Sequence, residues 1–280
     1  MKYLQFLLTT FFLSASLVVN SQIKYEQKDK EILAEVFEML ENKQDKTTAE
    51  LVVLVGKYFK ETPYVAHTLE CDKEQLIVNL RELDCTTYAE NCLAIARAVK
   101  NAKPTFEEFT KELTQIRYRK GVIDCYPSRL HYFSDWIYDN DQKELVRDVS
   151  KEIGNIEYHN VINFMSTHPD SYKQLKNNPE FQTQIAQQEK EISTKKMYFL
   201  PKERLAEFES KLMEGDIVGI TTSVSGLDIT HVGIIVKKNG EVHLMHASSK
   251  AEKVIISKNT LNEYLAGRKS ATGIMILRPN

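Results

Sequence analysis

The last third of the chain constrains the fold most. Five short β-rich runs, Asp216 to Ile220, His231 to Val236, Glu241 to Ala247, Val254 to Ile256 and Gly273 to Leu277, are separated by Gly, Asn, Ser and Lys. Asn239-Gly240 stands between two of them, and both residues tolerate the positive φ that a two-residue hairpin turn demands. The expectation is an antiparallel sheet. Upstream, the spacing is helical. Ile32, Leu33, Val36, Phe37 and Leu40 form one stripe within Lys24 to Asn42, and Leu51, Leu54, Val55 and Tyr58 form another within Thr47 to Phe59. Phe106 to Ile116 reads as a further helix, whereas Leu76, Val78 and Leu80 alternate with polar residues as a strand would. Ile156 to Glu191 is polar and helical, broken at His168-Pro169-Asp170, and reads as an insertion. Helices first and strands afterwards predict an α+β fold with the helices segregated to one side of the sheet.

Within that frame, LDCTTYAEN at 83–91 carries the chemistry. Behind Cys85, Ala89, Cys92, Ala96 and Val99 recur at steps of four and three, so a helix starts at or near the cysteine. A thiol there sits at the positive end of the helix dipole, where a thiolate is favoured. A nucleophilic thiol also needs a base, and the base needs a polar group to fix its tautomer. His231 opens THVGIIV and shares a strand face with Gly233 and Ile235; His246 closes EVHLMHAS and shares a face with Val242 and Leu244. Adjacent strands could present both, and Gly233 would let the sheet approach the nucleophile helix. A zinc site is the competing arrangement, but His243 and His246 lie three apart on one strand and point to opposite faces. No metal or other cofactor is expected. His67, His159 and His168 lack ligand-like spacing and read as ordinary polar residues.

The N-terminus bears on the compartment. Met1 to Ser21 combine Lys2, an apolar run from Leu4 to Val19 and small residues before Gln22, the pattern of a secretory signal peptide. Thr9, Thr10, Ser14 and Ser16 interrupt the run and argue against a permanent membrane anchor. The expectation is an exported, periplasmic or secreted, monomeric protein spanning 22–280 as one domain, with a helical N-terminal layer over about 24–60 and an insertion over about 100–200. Its net charge of −2, one unit more negative once Lys2 is removed, excludes an ordinary nucleic-acid binder. There are four cysteines; if Cys85 is kept for chemistry they cannot all pair. Cys92 then reads as a buried core thiol, and Cys71 and Cys125 either pair or stay free.

Together, LDCTTYAEN, the downstream GDIV, and HVGIIV with its hairpin to LMHAS resemble the NlpC/p60 type of papain-like cell-wall peptidases. YRKGVIDCYPSRLHYFSDWI at Tyr118–Ile137 and the closing GIMILRP resemble the N-acetylmuramoyl-L-alanine amidase-like branch. The resemblance implies a papain-like core, in which the nucleophile helix packs on the antiparallel sheet. It assigns Cys85 as nucleophile, His231 as base and His246 as the residue orienting it. It also implies hydrolysis of the amide between N-acetylmuramic acid and L-alanine in soluble muropeptides, fragments of peptidoglycan. Cys125 stands where a small residue such as glycine is expected.

The 126–136 segment is the candidate for substrate recognition. Tyr126, Tyr132 and Trp136 could pack on sugar or peptide faces, with Ser128 between them, and Arg129 could grip a stem-peptide carboxylate. The alternative is a buried aromatic cluster holding the insertion to the core. Asp84 could bind a ligand amine or cap the helix. A γ-D-glutamyl-diamino acid endopeptidase, a thioester-forming acyltransferase and a catalytically silent cell-wall binder are the competing functions.

Overall fold

The computed structural model describes residues 23–280, so the leader read at 1–21 lies outside the described residues. In chain order the elements are α1 (Gln27–Met39), α2 (Thr48–Tyr58), α3 (Cys85–Lys100), α4 (Phe106–Arg117), α5 (Phe133–Gln142), β1 (Val146–Asp148), α6 (Ser150–Ile153), β2 (Ile156–Tyr158), α7 (Phe164–Thr167), α8 (Pro179–Thr194) and β3 (Met197–Pro201). There follow α9 (Leu205–Phe208), β4 (Ile217–Thr222), β5 (Ile229–Lys238), β6 (Glu241–Ser248), β7 (Lys253–Thr260), α10 (Leu261–Ala266) and β8 (Ala271–Pro279). The fold is α+β, and the strands form one antiparallel sheet in the order β2-β3-β8-β4-β5-β6-β7, with β1 also paired to β8. Asn239 and Gly240 take φ of 54° and 87° and make the β5–β6 turn, which pairs Lys238 with Glu241.

Alternation along β4 shows how the sheet is buried. Ile217 faces a large core shared with α1 to α5, while Val218 and Ile220 face a second core. That second core is closed by Val149 and Ile153 around α6, Leu205 on α9, and Leu261 and Leu265 on α10. The sheet is therefore covered on both faces, which corrects the one-sided arrangement: the long helices lie on one face and the short ones on the other. A third, smaller cluster of Tyr126, Tyr132, Ile162, Met165, Leu175 and Ile185 holds the insertion to the body.

Two further differences have local causes. Leu76, Val78 and Leu80 are buried as alternation implies, but 75–83 makes only single bridges, Lys24 to Ile77 and Tyr64 to Leu83. Asn79 Oδ1 accepts the N–H groups of Arg81 and Glu82, and this Asx turn ends the extended run. Within the insertion, α8 supplies the expected helix and α7 ends at His168-Pro169, but 156–158 is a strand paired to β3. Among the described residues no helix is long and apolar enough to cross a membrane. All four cysteines are free, including Cys71 and Cys125.

Candidate active site

Cys85 is the first residue of α3. Asp84 caps the helix: its Oδ1 accepts the Thr87 N–H at 2.8 Å, and the Thr87 hydroxyl accepts the Asp84 N–H at 2.9 Å. Such a cap stabilises a helix by about 1 kcal/mol and fixes its first turn. Behind it, α3 is buried almost all round, not only along the expected stripe. Its inward carboxylate, Glu90, accepts from Arg117 at 2.7 Å and from Trp136 Nε1 at 3.2 Å. The nucleophile candidate thus stands on a rigid, centrally packed helix.

The histidines meet as the strand pattern requires. The register Ile234 to Met245 sets His246 opposite Gly233, so His231 lies diagonally across on the same face. His231 Nε2 and His246 Nδ1 are 2.7 Å apart, with the rings nearly perpendicular. Gly233 serves this pairing differently from expectation: a Cβ there would come within 2.6 Å of Leu244 Cδ1, so the missing side chain makes room for the neighbouring strand rather than for α3. Tyr264 on α10 packs against both rings, 5.3 Å from His246 and 6.4 Å from His231. Arg268 stacks on Tyr264 at 4.4 Å.

Burial sets the charge states. It pushes His231 down to about 3, helped by His246 and Arg268, and His246 down to about 4, helped by Arg268. It pushes the Cys85 thiol up to about 11, with Asp84 adding to the effect; the Val232 N–H and Thr86 hydroxyl pull the other way. A helix start favours an anion by only about 0.3–1 kcal/mol at an exposed site, and here enclosure outweighs it. Contrary to the sequence expectation, the resting groups are a neutral thiol and two neutral imidazoles.

Cys85 and His231 line one cavity of about 180 Å³ together with Thr86, His131, Tyr132, Asp228 and Thr230. A second cavity of about 430 Å³, lined by Asp84, Thr86, Tyr126, Arg129, His131 and Tyr172 among others, shares Thr86, His131 and Tyr172 with it. The two form a continuous surface beside the thiol. A larger cleft, about 560 Å³, lies between the insertion and the 225–226 loop and touches none of Cys85, His231 and His246. We place the site at the smaller pair because only there do the reactive groups converge.

The recognition candidates divide. Asp84 and Tyr126 line the 430 Å³ cavity and Tyr132 the 180 Å³ one. Arg129 also lines the larger cavity, but its guanidinium is 7% exposed and is already matched by Glu70 at 3.1 Å, Glu74 at 3.7 Å and the Leu69 carbonyl at 3.2 Å. It is a clamp between 69–74 and the 126–131 turn, not a free grip for a carboxylate. Trp136 is fully buried, stacked on Phe133 at 4.8 Å and bonded to Glu90, so it packs the core and cannot reach a ligand. Ser128 accepts the Asp124 N–H at 3.2 Å and lines neither cavity. Tyr132 donates to Glu189 at 2.6 Å and accepts the Met165 N–H at 2.8 Å, which fixes the wall that the insertion contributes.

Four residues escaped the sequence reading. His131 lines both cavities, donates to the Tyr126 carbonyl at 2.8 Å, and is pushed down to about 3 by burial and Arg129. It stands inside the RLHYF stretch, which was the available signal. Asp228 precedes His231 by three residues in the cavity wall; Tyr264 packs by the imidazoles from α10, a helix that the strand-dominated pattern hid, and Arg268, just past the end of that helix, stacks on Tyr264. His243 donates instead to the Ser257 and Asn259 carbonyls, away from this site.

The family profile of the N-acetylmuramoyl-L-alanine amidase-like (AmiA-like) proteins matches residues 54–274. The chain therefore belongs to that family. Among solved structures, an N-acetylmuramoyl-L-alanine amidase from Bacteroides uniformis is 38% identical, with a TM-score of 0.80 over 83% of this chain and 99% of its own. A Bacteroides fragilis protein provisionally named a xylanase is 43% identical, with a TM-score of 0.78 over 81% of this chain and 99% of its own. A Legionella pneumophila protein shares the fold at 21% identity, with a TM-score of 0.69 over 90% of this chain and 95% of its own. No curated protein matches the chain.

Proposed function

We propose that the protein hydrolyses the amide between N-acetylmuramic acid and L-alanine in soluble muropeptides, by nucleophilic catalysis at Cys85. The observation that carries this reading is that Cys85 and His231 line one cavity, with His246 behind His231 at 2.7 Å, in a chain of an amidase-like family. The core is of the papain-like NlpC/p60 type on this reading, and the leader exports the enzyme to where wall fragments are met.

The charge states shape the mechanism. Because Cys85 starts as a thiol and His231 as a neutral base, the proton moves to His231 as sulfur attacks the carbonyl carbon. The role of base requires a free Nδ1 on His231, so on this reading its proton sits on Nε2 and is donated to His246 Nδ1, 2.7 Å away, and His246 holds this tautomer. The tetrahedral oxyanion is met by the Cys85 N–H at the helix start. The imidazolium then protonates the departing L-alanine nitrogen, and water, deprotonated by His231, cleaves the thioester to release N-acetylmuramic acid and restore the thiol.

A glycosidase reading finds less support, since that chemistry uses two carboxylates flanking the bond. Here Asp84 caps a helix, Glu70 pairs with Arg129 and Glu90 with Arg117. Incubating a muramoyl tripeptide with the protein and weighing the products tests the proposal. Intact tripeptide plus free N-acetylmuramic acid is expected. An L-alanyl-glutamyl dipeptide released from a sugar-free tripeptide would point to the endopeptidase branch instead.

A further inference from the structure

We propose that Asp228 is a positioning residue for the base: it pins the bulge of β5 and so fixes the face on which His231 is presented. The inference rests on His231 acting as the base of Cys85. Between β4 and β5 the register slips, Ile220 pairing with His231 but Thr221 with Ile229, so Thr230 is the extra residue. A slip of one residue would turn His231 to the opposite face, away from His246. Something must therefore decide which residue is looped out.

Asp228 supplies that decision from four directions. Its Oδ1 accepts the Ile229 N–H at 2.7 Å, and its Oδ2 accepts the Ser134 N–H at 2.7 Å, at the start of α5. Its backbone carbonyl accepts the Tyr158 hydroxyl at 2.9 Å and the Thr222 N–H at 3.2 Å. The side chain is 2% exposed and borders the cavity of Cys85 and His231. Burying a carboxylate is costly, and burial does push this one upward while its N–H donors pull it back. Only a carboxylate offers acceptors to both N–H groups; an asparagine would set its own NH₂ against one of them.

Alkylation of Cys85 by iodoacetamide, followed by mass spectrometry of its peptide across pH 5 to about 9, separates this role from mere support of α5. In Asp228→Asn the alkylation rate should fall toward that of His231→Ala, with kcat lowered about tenfold or more and KM nearly unchanged. Tyr158→Phe, which removes one tether from a half-buried position outside the cavity, should show the same change in weaker form, about twofold to threefold. Wild-type alkylation and kcat in a folded Asp228→Asn protein would overturn the proposal. If that variant fails to fold, wild-type behaviour of Tyr158→Phe would do the same. Should His231→Ala itself leave Cys85 alkylation unchanged, the base assignment fails first, and the two failures are thereby distinguished.

Discussion

The two sides of the site are built on opposite terms. Around Cys85, a half-buried thiol, the two imidazoles are buried, neutral and bonded to one another, and His246 Nε2 has no partner among the described residues. Around Arg129, a cation is also buried, but Glu70, Glu74 and a carbonyl surround it and Tyr126 covers it at 5.1 Å. Buried charge that is matched supports structure; buried neutral groups with spare proton capacity support chemistry. The difference teaches that an arginine beside a cavity is read correctly only after its counter-ions are counted.

If that contrast is right, the largest effect after loss of the thiol itself belongs to His231. His231→Ala should lower turnover by roughly 10³-fold or more, and His246→Gln by less, because the proton carrier survives but is poorly oriented. Equal loss in both, at equal folded fraction, would break the base-and-orienter assignment. Rates of single-turnover hydrolysis would decide it.

Arg129→Ala should act on stability before activity. It takes the counter-ion from Glu74, a buried carboxylate that keeps only the Tyr118 hydroxyl at 2.7 Å, while the half-buried Glu70 can turn to water, so about 2 kcal/mol is expected, below the roughly 3–5 of a fully buried pair. Urea denaturation checks this. A large rise in KM with unchanged stability would restore Arg129 as a substrate anchor.

Acid should unfold the protein through the same neutral histidines. His131 and His231 are pushed down to about 3 and His246 to about 4, so below the usual histidine range the unfolded chain binds protons that the native state refuses. Stability therefore rises with pH through this window and is lost progressively as pH falls from about 6.5 toward 4. Thermal unfolding across pH 4 to 8 should show the slope, and replacing His131 with Phe should flatten it. A flat profile would mean that the native imidazoles take up protons as readily as those of the unfolded chain.

The smallest effect is assigned to Trp136. Trp136→Phe keeps the stack on Phe133 and loses the bond to Glu90, so about 1 kcal/mol of stability and less than twofold in turnover are expected. A steady-state assay with the muramoyl tripeptide would detect a contradiction.

What the sequence revealed follows from periodicity. The five C-terminal strands, the Asn239-Gly240 turn and the helix behind Cys85 were legible because each is a local pattern of period two or near 3.6. β1, β2 and β3 were not, since segments of three to five residues carry too few alternations to stand out from a polar insertion. The facing of His231 and His246 was legible from strand faces, whereas Asp228, Tyr264 and the Glu70–Glu74 matching of Arg129 depend on residues distant in sequence or on a bulge, and no local pattern encodes them.

The central claim is that the thiol of Cys85 breaks the amide. It is tested most directly by assaying Cys85→Ala against a muramoyl tripeptide beside the wild-type protein, with and without a metal chelator, after circular dichroism has shown both to be folded. Because Cys85 stands at the start of α3 and is only half-buried, the variant should fold normally and release no tripeptide above background, while the chelator leaves the wild-type rate unchanged. Tripeptide release by folded Cys85→Ala at the wild-type rate would contradict the account.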